Sequence, residues 1–158
     1  MRKILLIFVL YILGVSNAFS LIEVDITRGN LDPLPIAVSP LHVDLKSEEI
    51  DNIKVKILGD EISKIIEKNF KSTGLFNPLK KDAFVQKPDI AHLKPRFEDW
   101  RLIKAQALVT GKILVNDGKL KVEFRLWDLT ASKEMLALAF TTTPTNWRRV
   151  AHIISDKI

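Results

Sequence analysis

The feature that most constrains the fold is a pair of segments with alternating apolar residues, 105–115 and 119–126, on either side of Asp117-Gly118. A period of two is typical of strands that bury one face. Asp-Gly favours a two-residue turn because glycine accepts a positive φ without strain, whereas a three-residue loop would shift the register and set Phe124 against a polar position. We therefore predict an antiparallel hairpin with these opposed pairs: Asn116 and Lys119, Val115 and Leu120, Ile113 and Val122, Gly111 and Phe124.

The surroundings of this hairpin indicate a larger sheet. Leu108 and Leu114 lie on the second face of the first arm, which is typical of a strand covered on both sides in a layered α/β domain. Residues 135–141 alternate in the same way and predict a third antiparallel strand, so that a meander spans about residues 105–141. Because Gly111 opposes Phe124, we expect the aromatic ring to lie over the glycine.

Three helices are predicted around this meander. The first spans about residues 59–72, with Asp60 and Glu61 in its first turn, where the helix dipole favours acids, and with Gly74 just beyond its end. Its apolar positions follow helical spacing: Leu58, Ile62, Ile65, Ile66 and Phe70.

The second helix spans about residues 96–104 and places Phe97, Trp100 and Ile103 on one face. The third follows Thr145 or Asn146, either of which suits the N-cap. Its apolar stripe consists of Trp147, Val150, Ile154 and Ile158.

The remaining segments carry weaker patterns. Residues 36–41 are a candidate buried strand, 75–79 are expected to fold back onto the core, and 82–94 are expected to form a surface connection. Residues 42–58 are compatible with two structures, a strand in which Ile53, Val55 and Ile57 alternate with lysines, or an irregular lead into the first helix.

Residues 1–18 have the pattern of a secretory signal peptide. A basic start is followed by a nearly all apolar run, residues 4–15, and then by small residues at Ser16 and Ala18. A membrane-spanning helix needs about 20 apolar residues, so this run is too short. We expect cleavage after Ala18, export, and no stable membrane anchor afterwards, because the chain has no cysteine that could carry a lipid.

Composition excludes several classes of function. The chain has no cysteine, so disulfides and thiolate metal sites are excluded. Removal of residues 1–18 takes away Arg2 and Lys3 and no acid, which lowers the net charge from +5 to +3. This small excess is spread along the sequence, whereas nucleic-acid binding usually needs a clustered basic face. We therefore expect no nucleic-acid partner.

No motif for catalysis, metal binding or a cofactor is present. The six glycines are not grouped, and the three histidines do not have metal-ligand spacing. One candidate for acid–base chemistry is Glu98-Asp99-Trp100-Arg101, which could place a carboxylate beside an apolar wall. The favoured interpretation is structural: both acids stabilise the start of the helix, and Trp100 belongs to the core. Trp147-Arg148-Arg149 could bind an anion, but a core tryptophan beside two solvated charges is favoured. A rival hypothesis is a small enzyme with Asp99 or Glu98 as base near His152.

Several of these segments resemble one family. They resemble the N-terminal domain of the TolB family, components of the Tol-Pal system of Gram-negative envelopes. The resemblance covers about residues 21–158 and is weakest over 42–58. The segments that carry it are Pro35–Val38, Thr73–Leu79, Phe97–Arg101, Ala105–Gly111, Val122–Asp128 and Asn146–Ile154.

The resemblance implies a mixed sheet with packed helices, similar to the anticodon-binding domains of class II synthetases. It implies a periplasmic protein that acts by contact and not by catalysis, in outer-membrane integrity, cell division and colicin import, and that contains no cofactor. Residues 19–35 are implied to be a partner-binding segment and a linker ahead of the domain at 36–158. About residues 19–30 of this segment are implied to contact the inner-membrane protein TolA. By position, the pairing residues are Glu23, Val24, Asp25, Ile26 and Thr27.

The resemblance also implies a β-propeller that follows this domain and binds the lipoprotein Pal. The present sequence contains no propeller, and Ile158 belongs to the apolar stripe of the last helix. The expectation is therefore a truncated form without Pal binding.

Overall fold

The computed structural model describes residues 32–44 and 55–158. It contains one mixed sheet with helices on both faces, as the sequence predicts. The strands are β1 (Leu34–Val38), β2 (His42–Val43), β3 (Phe76–Pro78), β4 (Ala107–Asn116), β5 (Lys119–Asp128) and β6 (Lys133–Thr142). The helices are α1 (Val55–Thr73), α2 (Pro88–Ala91), α3 (Phe97–Leu102) and α4 (Trp147–Lys157).

The sheet has a parallel half and an antiparallel half. Its strand order is β3-β1-β4-β5-β6, with β2 also paired to β4. β1 is parallel to β3 and to β4, and β2 continues the same side of β4 by pairing with Lys112 and Ile113. β4, β5 and β6 form an antiparallel meander, which confirms the three predicted strands.

The hairpin between β4 and β5 has the predicted register. Gly111 opposes Phe124 and Asn116 opposes Lys119. The two turn residues, Asp117 and Gly118, have φ of 50° and 64°, as a two-residue turn with positive φ at both positions requires. The side chain nearest to a Cβ at Gly111 would be Leu41, so this leucine packs close to the glycine.

The first face of the sheet is covered by α1 and α4. The apolar stripes of both helices pack on the odd-numbered side chains of β4 and the even-numbered side chains of β5, with Phe70, Ile113, Phe124 and Ile154 each at most 1% exposed. Burial of these side chains removes apolar surface from water and fixes both helices on the sheet.

The prediction for the start of α1 was wrong. The helix begins at Val55, ahead of the predicted start at Gly59, so its first turn contains no acid. Asp60 and Glu61 lie further along the helix. Val55 and Ile57 therefore belong to a helix and not to a strand. Gly59 also lies inside this helix, and its lack of a side chain allows the backbone of Leu41 to approach closely.

The second face is covered by the chain between β3 and β4. Trp100 of α3 is 1% exposed and packs with Leu108, Trp127 and Leu129. The indole Nε1 of Trp100 donates to Gln86 Oε1 at 3.0 Å, and that of Trp127 donates to Thr110 Oγ1 at 2.9 Å. The predicted surface connection at 82–94 thus contains α2 and contributes to a second core.

Two smaller predictions need correction. Residues 76–78, expected only to fold back, form the edge strand β3. β1 begins at Leu34, inside the segment predicted as linker. Asn146 does hold the N-cap position of α4, but its side chain makes no capping bond to the helix. Residues 1–31 and 45–54, which include the predicted signal peptide, lie outside the described residues.

Candidate functional site

The predicted partner-binding residues precede β1 and lie outside the described part of the chain. They are Glu23, Val24, Asp25, Ile26 and Thr27. The structure does describe the point at which their segment joins the domain. The Leu34 N–H donates to Leu75 O at 2.9 Å, and the Pro35 carbonyl accepts a bond from the Gln106 N–H at 2.9 Å. Both bonds hold the start of β1 between its two neighbours, while Asp32 and Pro33 are exposed.

The far side of the sheet presents a different surface. Part of the second face of β5 carries charged side chains: Lys121 bonds Glu123 at 2.7 Å, and Arg125 bonds Glu134 at 3.1 Å. The hydrogen bond from Lys121 holds the pKa of Glu123 below its usual value. Together these pairs form a polar ladder that keeps this face of β5 in contact with water.

The edge strand β6, which pairs with β5, exposes apolar side chains. Met135 is 58% exposed and Leu138 is 37% exposed. Within the described residues β6 has one strand neighbour, β5. Long edges of this kind can accept another strand.

The candidate acid and base at α3 are engaged in local ion pairs. Asp99 Oδ2 is 2.6 Å from Arg96 Nη2, and Glu98 Oε1 is 2.6 Å from Arg101 Nη1. Arg101 also donates through Nε to the Leu129 carbonyl at 2.7 Å. These pairs fasten the short helix to the turn after β5, so the cluster has a structural role.

His152 is not near these acids. It lies on α4, where its Nδ1 is 3.0 Å from Asn69 Nδ2 of α1. α4 packs on the first face of the sheet and α3 on the second, so the sheet separates His152 from Asp99 and Glu98. The arrangement that the rival enzyme hypothesis requires is therefore absent.

The second candidate cluster also has a structural explanation. Trp147 is 8% exposed in the first core, and the guanidinium carbon of Arg148 lies 4.2 Å from the centre of its ring. A cation held over a tryptophan face stabilises the packing of both groups. This start of α4 therefore matches the structural interpretation preferred from the sequence.

A stacked histidine pair was missed from the sequence. The rings of His42 on β2 and His92 after α2 lie 4.4 Å apart and 7° from parallel. His92 Nδ1 is 3.0 Å from the Pro88 carbonyl. Burial first, and the nearby charge of His92 second, lower the pKa of His42. The two histidines are far apart in the sequence, and nothing in their local spacing predicts this contact.

In residues 32–44 and 55–158, no group of three or more metal-ligating side chains comes together. In the same ranges, no helix combines the length and the apolar character that crossing a membrane requires.

Comparison with known proteins identifies the family of this fold. Residues 22–135 match the family model for the TolB amino-terminal domain. The Tol-Pal system protein TolB of Pelagibacter ubique (strain HTCC1062) is 64% identical over 154 residues, which are 96% of this chain and 34% of that protein. The chain therefore spans about a third of the length of this relative.

Solved structures show the same fold at low sequence identity. TolB from Acinetobacter baumannii has a TM-score of 0.60 and 18% identity, covering 78% of this chain and 27% of that one. Lipoprotein GNA1162 from Neisseria meningitidis has a TM-score of 0.51 and 10% identity, covering 79% of this chain and 97% of that one. On the strength of the family match and the close relative, this chain belongs to the TolB amino-terminal domain family.

Proposed function

We propose that this protein is a periplasmic contact module of the Tol-Pal system that engages TolA through the segment before β1. The observation that carries the proposal is the extent of the family match, which begins at residue 22 and so includes the proposed contact residues Glu23 to Thr27 together with the domain. The 64% identity to a Tol-Pal protein supports the same system.

The mode of contact follows from the pattern of the segment. Ile22, Val24 and Ile26 alternate with Glu23 and Asp25, which suits an added strand that sets one apolar face against its partner. Backbone bonds at Leu34 and Pro35 hold the start of β1, which the segment precedes in the sequence. In this proposal the segment binds TolA, and the domain anchors the chain that follows the segment.

The wider role belongs to the same proposal. Cleavage after Ala18 would release the chain into the periplasm, where contact with TolA would serve outer-membrane integrity, division and colicin import without catalysis. Because the chain spans about a third of its relative, the activities of the longer protein, binding of Pal among them, are not assigned to it.

The test is a titration of the mature protein with the periplasmic domain of TolA, followed by calorimetry. Removal of residues 19–30 should abolish binding and leave the circular dichroism spectrum of the domain unchanged. Binding that survives the deletion would show that the contact residues lie elsewhere.

A matched pair of variants refines this test. Ile26→Asp and Thr27→Asp add the same charge to neighbouring positions on opposite faces of the proposed strand. Ile26→Asp should weaken binding at least about tenfold, equivalent to about 1.4 kcal/mol, whereas Thr27→Asp should change it much less. Equal effects would argue against a strand with one apolar contact face.

A further inference from the structure

A basic cleft lies between α1 and the chain that follows β3. Its volume is about 440 Å³. Pro78 and Leu79 form an apolar wall, and one acid, Glu67, lines it. Five lysines border the cleft: Lys64, Lys68, Lys71, Lys80 and Lys81.

Helix geometry and one turn of chain bring these lysines together. Lys64, Lys68 and Lys71 are spaced four and three positions apart on α1, so they share one side of the helix. Lys80 and Lys81 follow β3, whose pairing with β1 sets them opposite that side. Basic side chains from two separate elements therefore gather at one place.

Two of the five ammonium groups are committed to the protein. Lys81 Nζ is 2.6 Å from Ser63 Oγ, 3.5 Å from Glu67 Oε1 and 3.7 Å from Asp60 Oδ1. Lys64 Nζ is 2.8 Å from Glu61 Oε1. These contacts fix one side of the cleft.

The other three ammonium groups carry no such partner. Within residues 32–44 and 55–158, Lys68, Lys71 and Lys80 make no ion pair or side-chain hydrogen bond, and all three are exposed. Like charges brought this close repel one another, so an anion placed between them relieves unfavourable electrostatic energy.

The one acid that lines the cleft, Glu67, lies beside Lys81. Glu67 is half-buried, and burial raises its pKa, while the nearby charge of Lys81 opposes this effect. Its Oε1 is buried and makes no hydrogen bond within the described residues, although Lys81 Nζ lies 3.5 Å away. The positive charge of Lys81 therefore offsets the negative charge of the Glu67 carboxylate, and the three unpaired lysines are left to attract an anion.

We propose that this cleft binds a phosphate monoester or diphosphate group through Lys68, Lys71 and Lys80. Lysine ammonium groups act as compact point charges that bind phosphate oxygens, and a phosphate group with more than one negative charge can contact several of the lysines that border the cleft. The group can be carried by a soluble molecule or by a lipid headgroup.

The experiment follows amide shifts in two-dimensional NMR spectra during titration with inorganic pyrophosphate, at fixed ionic strength. Shifts should saturate and concentrate at residues 64–81. The triple variant Lys68→Gln, Lys71→Gln, Lys80→Gln should bind at least about tenfold more weakly. A control with Lys94, Lys119 and Lys157 changed to Gln loses the same charge at exposed positions outside the cleft and should bind as the original protein does.

Sedimentation with vesicles distinguishes the two sources of phosphate. Binding to phosphatidylcholine vesicles that contain phosphatidic acid, but not to phosphatidylcholine alone, would assign a headgroup. Pyrophosphate binding without vesicle binding would assign a soluble ligand. The proposal is overturned if neither probe binds to the folded protein, or if the two triple variants lose affinity equally, because a general charge effect would then explain the result.

Discussion

Gly59 is the position where a single added methyl group should disturb the fold most directly. It lies inside α1, where its carbonyl accepts a bond from the Leu41 N–H at 3.2 Å. A Cβ at residue 59 would lie 2.0 Å from the Leu41 carbonyl oxygen, whereas ordinary contact begins at 3.4 Å. The two backbones must therefore move apart before a methyl group can fit between them.

The expected cost of Gly59→Ala follows from opposing effects. Overpacking of a buried contact costs about 1–3 kcal/mol. Loss of the hydrogen bond from Leu41 costs about 1 kcal/mol more. The better helix propensity of alanine offsets about 1 kcal/mol of this loss of stability. The free energy of unfolding should therefore fall by about 1–3 kcal/mol.

Urea denaturation followed by tryptophan fluorescence measures this change. Ser72→Ala, an exposed substitution in the same helix, serves as a control and should shift the free energy of unfolding by no more than about 0.5 kcal/mol. If Gly59→Ala instead stabilises the protein by about 1 kcal/mol, as helix propensity alone predicts, the close approach of α1 to Leu41 is wrong.

Two other predictions concern the core and the histidine pair. Phe124→Ala should lower the free energy of unfolding by about 3–5 kcal/mol, because the ring is 1% exposed. Met135→Ala, at a side chain that is 58% exposed, should change the free energy of unfolding by less than about 1 kcal/mol. Denaturant titrations that show equal effects for the two variants would refute the assigned faces. The pKa of His42, measured by NMR, should lie below 6.5, because burial and then the charge of His92 lower it. The pKa should rise in His92→Phe, and an unchanged value would exclude the influence of His92. Since this folded-state pKa is lowered, the unfolded chain takes up the proton first, and stability should decline as the pH falls through 6.5 and level off below the folded pKa.

The hairpin could be predicted because all of its information is local. The turn residues and the alternating pattern independently select the same register, and the partners are adjacent in sequence. Phe97 and Trp100 were likewise placed correctly on the buried side of α3, because a short helix leaves few alternatives.

The parallel half of the sheet could not be predicted in this way. β3 is very short, and its pairing with β1 joins Leu34 to Phe76 across the whole of α1, which no local pattern specifies. The start of α1 was misplaced because Asp60 and Glu61 look like residues of a first turn, although packing of Val55 in the core extends the helix backward.

The candidate sites also depend on contacts between residues that are far apart in the sequence. Asp99 and His152 are each plausible catalytic residues in isolation, and only the fold shows that the sheet separates them. The converse holds for the basic cleft. Its lysines belong to two elements, α1 and the chain after β3, and the pairing of β3 brings the two groups together.

The most direct test of the proposed contact asks whether the segment before β1 is sufficient for it. A fluorescent peptide of residues 19–30 is titrated with the periplasmic domain of TolA, and a peptide of the same composition in scrambled order serves as the control. The account predicts saturable binding of the native peptide alone, and displacement of that peptide by the whole protein. Failure of the peptide to bind, while the protein without residues 19–30 binds TolA as tightly as the intact protein, would contradict it.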